Sequence, residues 1–228
     1  MRLKTILYLF IVVTLGFFWC TDSDPFTNDI EKLFIVAGLV DINRIDQTIQ
    51  VDLVNADADK NYFRENYYNG LTKAYLQKEV AVKLSKAQAL LKSKRKELSL
   101  QILDAARPRR VSALMYEKMK GTKFEKFVAH PKNGSMHNYG IAVDITLVDE
   151  SGKELDMGFS PFRKTTLEIY WQFTQVKLGV KLTENQIKNR RLLSDTMKKA
   201  GFTPLSHEWW HFDGIPKEEA RKKYKIIE

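Results

Sequence analysis

Ser135-Met136-His137-Asn138-Tyr139-Gly140-Ile141-Ala142-Val143-Asp144-Ile145-Thr146-Leu147 joins a turn to a strand. From Ile141 onward the apolar side chains Ile141, Val143, Ile145 and Leu147 alternate with Ala142, Asp144 and Thr146, the two-residue period of a pleated strand. Asp144 therefore points away from the stripe that reads as core. His137 lies in the turn before the strand, near Gly140, whose backbone freedom lets the imidazole bend back toward Asp144.

A second stretch, Glu208-Trp209-Trp210-His211, supplies another imidazole and another carboxylate. Zinc takes neutral imidazole nitrogen and carboxylate oxygen readily, and a catalytic site keeps three protein ligands with the fourth position open to water. His137, Asp144 and His211 form such a set. Glu208 is then left as the proton-transfer group, since a carboxylate beside a metal-activated water can take its proton and later give it to a leaving amine.

His207-Glu208-Trp209-Trp210-His211 is also literally H-E-x-x-H, and Gly214 extends it toward a longer metalloprotease signature. In that architecture both histidines project from one helix and a third ligand follows. Here the corresponding position is Lys217, whose protonated amine is no ordinary zinc ligand. Gly201, Pro204 and the aromatic run Trp209 to Phe212 favour a strand over a helix, and the helical reading leaves His137 and Asp144 unused. His207 is expected beside the site, not in it, and His130 in a loop.

Around these stretches the chain reads as interspersed strands and helices. Ile49, Val51 and Leu53 alternate with polar residues as a half-buried strand, and the Tyr-rich stretch Asn55 to Gly70 follows as a long loop. Val80, Leu84, Ala87 and Leu91 mark an amphipathic helix before the strand Leu98 to Ile102. Pro108 suits the first turn of a helix, so Arg107 falls at a strand-to-helix junction, a common place for a functional side chain. Thr183 and Gln186 make a capping box for a helix through Ile187, Leu193, Met197 and Ala200, closed by Gly201. Phe202 to Phe212 reads as one returning strand. The expectation is a compact α+β domain with an antiparallel central sheet and flanking helices.

The 228 residues suit one domain, with no repeat or low-complexity linker dividing them. Residues 1–20 stand apart: Arg2 and Lys4 precede a mostly apolar run from Thr5 to Cys20, too short for a typical membrane span. They read as a signal peptide ahead of a 21–228 domain, with export to the cell envelope or periplasm. Cys20, the only cysteine, resembles a bacterial lipoprotein processing site, although Trp19 stands where a small residue is usual. With one cysteine the domain makes no internal disulfide. Formal charge is +9, or +7 without Arg2 and Lys4, but no interleaving of basic and aromatic residues suggests nucleic acid, and the excess reads as a solvated surface.

In combination these residues resemble the D-Ala-D-Ala dipeptidases of the vancomycin-resistance and related bacterial type. The family pattern S-x-H-x-x-G-x-A-x-D is matched by Ser135, His137, Gly140, Ala142 and Asp144, and E-x-W-H by Glu208, Trp210 and His211. The family Arg-Pro after a strand and an Asp is matched by Arg107 and Pro108, and further likeness runs through Met157-Gly158 and Asn189-Arg190-Arg191 to Gly201-Phe202. The resemblance implies the Hedgehog/D,D-peptidase fold with one zinc on His137, Asp144 and His211, Glu208 as general acid/base, and Arg107 steadying the transition state. Ser135 would bind substrate or shape the turn. The implied substrate is the D-Ala-D-Ala dipeptide; the alternatives are D,D-carboxypeptidase or endopeptidase action on peptidoglycan stem peptides, or a non-catalytic zinc-stabilised binding module. Two departures stand out. Met136 replaces a common Ser, and Phe159-Ser160 replaces a Phe-Asp pair whose carboxylate lies near the substrate's amino end.

Overall fold

The computed structural model describes residues 29–122, 125, 128–158, 181–206 and 208–228. The segment read as a signal peptide, Cys20, His207 and the Phe159-Ser160 departure lie outside them. Among the described residues the helices are α1 (Asp29–Val36), α2 (Lys78–Lys94), α3 (Arg109–Met119), α4 (Glu184–Lys199) and α5 (Lys217–Lys223). The strands are β1 (Val40–Asp41), β2 (Gln50–Val51), β3 (Tyr75–Leu76), β4 (Ser99–Asp104), β5 (Ala142–Val148), β6 (Thr203–Leu205) and β7 (Glu208–Asp213). No helix among them is long and apolar enough to cross a membrane.

A five-stranded sheet in the order β2-β4-β5-β7-β6 carries the architecture, and β1 pairs with β3 beside it. Leu100 lies opposite Leu147, Ile102 opposite Ile145 and Val143 opposite Phe212, so the alternation read from Ile141 onward becomes one continuous apolar stripe. The helices α2 and α4 pack on each other and against the sheet, adding Val80, Leu84, Leu91, Leu193 and Met197 to the same core. Each fully buried Leu or Val contributes about 1.5–3 kcal/mol relative to exposure. The α+β class is as the sequence implied.

The element boundaries depart from the sequence reading in three places. The strand expected over Ile49 to Leu53 shrinks to Gln50–Val51 and pairs parallel to β4, so the sheet is mixed at that edge. A two-residue strand has no turn tying it to its neighbour, and only the tertiary packing sets its direction. The single returning strand over Phe202 to Phe212 is a hairpin, with Thr203 opposite Asp213 and Pro204 opposite Phe212. Pro204, lacking an N–H, sits on the outer strand, where an unpaired edge costs nothing. Finally, β5 is buried along its entire length, so the face bearing Asp144, read as turned away from the core stripe, is covered as well. The capping box of α4 forms as expected, Thr183 Oγ1 accepting from the Gln186 N–H at 3.2 Å.

Candidate metal centre and active site

His137 sits in a 3-10 turn, Met136–Tyr139, that delivers the chain into β5. Ser135 caps this turn, its hydroxyl accepting from the His137 N–H at 3.3 Å. Gly140 ends it with φ of +67°, and a Cβ there would lie 2.3 Å from Leu39 Cδ2. Both the left-handed backbone and the close approach require glycine. Two residues into β5, Asp144 lies directly opposite His211 of β7 in the sheet register. Sheet pairing thus brings together two residues 67 positions apart, and the turn folds His137 over them.

The three side chains converge. Asp144 Oδ1 is 3.0 Å from His211 Nδ1 and 3.4 Å from His137 Nε2, and the two imidazole nitrogens are 3.2 Å apart. All three residues are buried. The outer nitrogens fix which ring atoms face inward. His137 Nδ1 lies 2.7 Å from the Ala105 carbonyl, which can only accept, so that nitrogen carries the hydrogen and Nε2 presents its lone pair. His211 Nε2 lies 3.0 Å from Asp213 Oδ1, which accepts its hydrogen, so loss of the proton that Nδ1 shares with Asp144 would leave the Nδ1 lone pair facing the cluster. Two imidazole lone pairs and a carboxylate oxygen within 4.8 Å of one another make a donor set that fits a cation such as zinc. Burial works to lower the His211 pKa, but hydrogen bonds to Asp144 and Asp213 outweigh it and push it up to about 10. Burial likewise works to raise the Asp144 pKa, yet the facing His137 and His211 hold it far below the usual carboxylate range. A cation would take the place of the proton that these groups share.

Glu208, at the start of β7, brings Oε2 within 3.9 Å of His211 Nδ1 while keeping partial exposure. It is close enough to meet a water or a leaving group at the cluster. Arg107 approaches at Asp144, Nη2 standing 4.0 Å from Oδ2. Its guanidinium is aimed by Asp104, whose fully buried carboxylate accepts from Arg107 Nε at 2.9 Å, Asn55 Nδ2 at 3.0 Å, Tyr68 Oη at 2.7 Å and the Ala105 N–H at 3.0 Å. Burial opposes the charge on Arg107, but Asp104, Tyr68 and Asp144 around it raise its pKa above the ordinary arginine value.

All five residues singled out in the sequence for metal binding and catalysis are therefore neighbours. Because Glu208–Asp213 is a strand, His211 cannot belong to a helical H-E-x-x-H site. His130 is exposed, its ring edge-on to Tyr116 at 4.8 Å between centroids. The sequence reading gave no role to Asp104, Asp213, Asn55 or Tyr68. Asp213 had a signal: it lies two residues from His211, hence on the same face of the strand. Asn55 and Tyr68 had none, being part of a polar loop whose path only the fold sets.

The sequence model of the D-ala-D-ala dipeptidase family matches residues 36–227. The D-alanyl-D-alanine dipeptidase of Escherichia coli (strain K12) is 30% identical over 175 residues, covering 77% of this chain and 83% of that protein. The D-alanyl-D-alanine dipeptidase of Synechocystis sp. (strain ATCC 27184 / PCC 6803 / Kazusa) is 34% identical over 87 residues, covering 36% of this chain and 35% of its own length. With the match spanning the sheet, the histidine–aspartate cluster and the strand bearing Glu208, the chain is a peptidase and belongs to the D-Ala-D-Ala dipeptidase family of metallopeptidases.

Proposed function

We propose that this peptidase hydrolyses the D-Ala-D-Ala dipeptide, using one zinc ion held by His137 Nε2, Asp144 Oδ1 and His211 Nδ1. The observation that carries the reading is the convergence of these three buried donor atoms, with Glu208 beside His211 and Arg107 beside Asp144. When bound, zinc supplies Lewis acidity toward the scissile carbonyl and makes a water acidic enough to attack near neutral pH. Glu208 takes the proton of the attacking water and passes it to the amine that departs, so the C–N bond breaks without releasing a free amide anion. Arg107, fixed by Asp104, offers its remaining N–H groups to the oxygen on which negative charge develops. Ser135 Oγ accepts from the His137 N–H, which supports turn shaping as its role over substrate binding. A structural zinc site needs neither Glu208 nor an aimed Arg107, so a binding module is the weaker reading.

Stem peptides ending in D-Ala-D-Ala are the second reading. It is favoured by Phe159-Ser160, which leaves no acid in that stretch for a free ammonium. The test is release of free D-alanine from D-Ala-D-Ala, beside a stem pentapeptide, by residues 21–228 before and after metal removal and zinc add-back. Zinc-restored cleavage of the dipeptide, with at least a hundredfold loss of kcat in Glu208→Gln and zinc still bound, is the expected result. Cleavage of the pentapeptide alone would shift the substrate to wall stems, and near-full activity in Glu208→Gln would remove it from proton transfer.

A further inference from the structure

Asn138 occupies an unspecified position in the family pattern, yet it is fully buried, with every polar group engaged. Its Nδ2 donates to the Arg107 carbonyl at 2.8 Å and to Ser112 Oγ at 2.9 Å. Its Oδ1 accepts from the Ser135 N–H at 2.7 Å, and its backbone N–H donates to the Ser135 carbonyl at 2.9 Å. Its own carbonyl accepts from the Ile227 N–H at 2.8 Å. The side chain thus joins the turn bearing His137, the junction bearing Arg107 and helix α3, and the backbone carbonyl of the same residue adds the segment near Ile227.

The connection to Arg107 is specific. The peptide unit between Arg107 and Pro108 has no N–H, so its carbonyl is its only polar group, and Asn138 is the partner of that carbonyl. The preceding unit is tied to the neighbouring residue, the Arg107 N–H donating to the His137 carbonyl at 3.0 Å. Both backbone polar groups of Arg107 are therefore held by the two consecutive residues His137 and Asn138. Asp104 fixes the direction of the guanidinium, but the position of the Arg107 Cα relative to the metal-binding turn depends on these two bonds.

We propose that Asn138 is a positioning residue that sets the distance between the Arg107 guanidinium and the His137–Asp144–His211 cluster, so that hydrolysis depends on it through Arg107. The proposal rests on the role given to Arg107 above. Displacing a charge-stabilising group by about 1 Å can cost on the order of a hundredfold in rate, which a buried amide with three side-chain hydrogen bonds prevents.

The experiment is a double-mutant cycle on D-Ala-D-Ala with the zinc-loaded enzyme, comparing Asn138→Ala in the native and Arg107→Ala backgrounds, with bound zinc measured for each. The expected result is a tenfold to hundredfold fall in kcat for Asn138→Ala, zinc retained, and less than a threefold further fall when Arg107 is already Ala. Equal losses in both backgrounds would mean that Asn138 merely supports the fold, and no loss in the native background would also overturn the proposal. Should Asn138→Ala fail to fold, Ser112→Ala withdraws only one anchor of the amide and is expected to lower kcat by a smaller factor that likewise vanishes without Arg107; a loss that persists there overturns the proposal. If Arg107→Ala alone keeps full activity, the role of Arg107 fails, and this proposal with it; if Arg107→Ala is impaired while Asn138→Ala is not, this proposal fails alone.

Discussion

His211 stands between two carboxylates, Asp144 on Nδ1 and Asp213 on Nε2, and this placement has consequences for metal uptake. Its pKa in the metal-free protein is raised to about 10, above the ordinary imidazole value. A raised value means that the proton's contribution to stability is complete below about pH 6.5 and is lost as pH climbs through about 10. The melting temperature of the metal-free protein is expected to fall across that window, while the zinc-loaded protein, with the cation in the proton's place, changes less. Zinc affinity should rise by up to about tenfold per pH unit over the same range, one proton leaving per ion bound, as competition titration with a chelator would measure. Asp213 holds the ring in the tautomer that presents Nδ1. Replacing Asp213 by Asn is expected to weaken zinc binding by about 10- to 100-fold with Glu208 untouched, and unchanged affinity would show that the ring needs no such partner.

At the scale of elements, the turn before β5 decides whether a site exists. Gly140 adopts φ of +67° against Leu39, so Gly140→Ala meets both an unfavourable backbone region and a collision with Leu39 Cδ2. A loss of about 1–3 kcal/mol in denaturant unfolding is expected, accompanied by weaker zinc binding because His137 moves with the turn. Wild-type stability in that variant would mean that Leu39 yields without cost. The hairpin of β6 and β7 has the complementary task. By ending β6 at Leu205 and starting β7 at Glu208, it lets Glu208 and His211 both reach the cluster although they are three residues apart on one strand. The register shift between Pro204 and Leu205 lies beside this departure from simple alternation.

For the molecule as a whole, we propose export directed by residues 1–20, on their charge and apolarity alone, with Cys20 as a candidate lipid-attachment site. In a bacterial host, the full chain is expected in the membrane fraction and Cys20→Ser in a soluble fraction; an unaltered distribution would leave residues 1–20 as the anchor, or place the protein elsewhere. The five-stranded sheet serves as a frame in which β4, β5 and β7 each carry part of the site at one end: Asp104, Asp144 and His211 occupy successive paired positions across it. The residues of the candidate cluster were legible in the sequence because they are written in residue type and local period: His137, Asp144, His211 and Glu208 had few competitors for metal chemistry, and the alternation from Ile141 to Leu147 placed Asp144 off the core stripe. The order of strands, the parallel edge strand β2 and the hairpin in place of one returning strand were not legible, since each depends on pairings between segments far apart in the chain. The same holds for the groups around the ligands. Asp104 meeting Arg107, Tyr68 and Asn55, and Asn138 meeting Arg107, Ser112 and Ile227, are contacts between loops and junctions without periodicity, so hydrogen-bond satisfaction in the packed interior decided them, and local sequence did not.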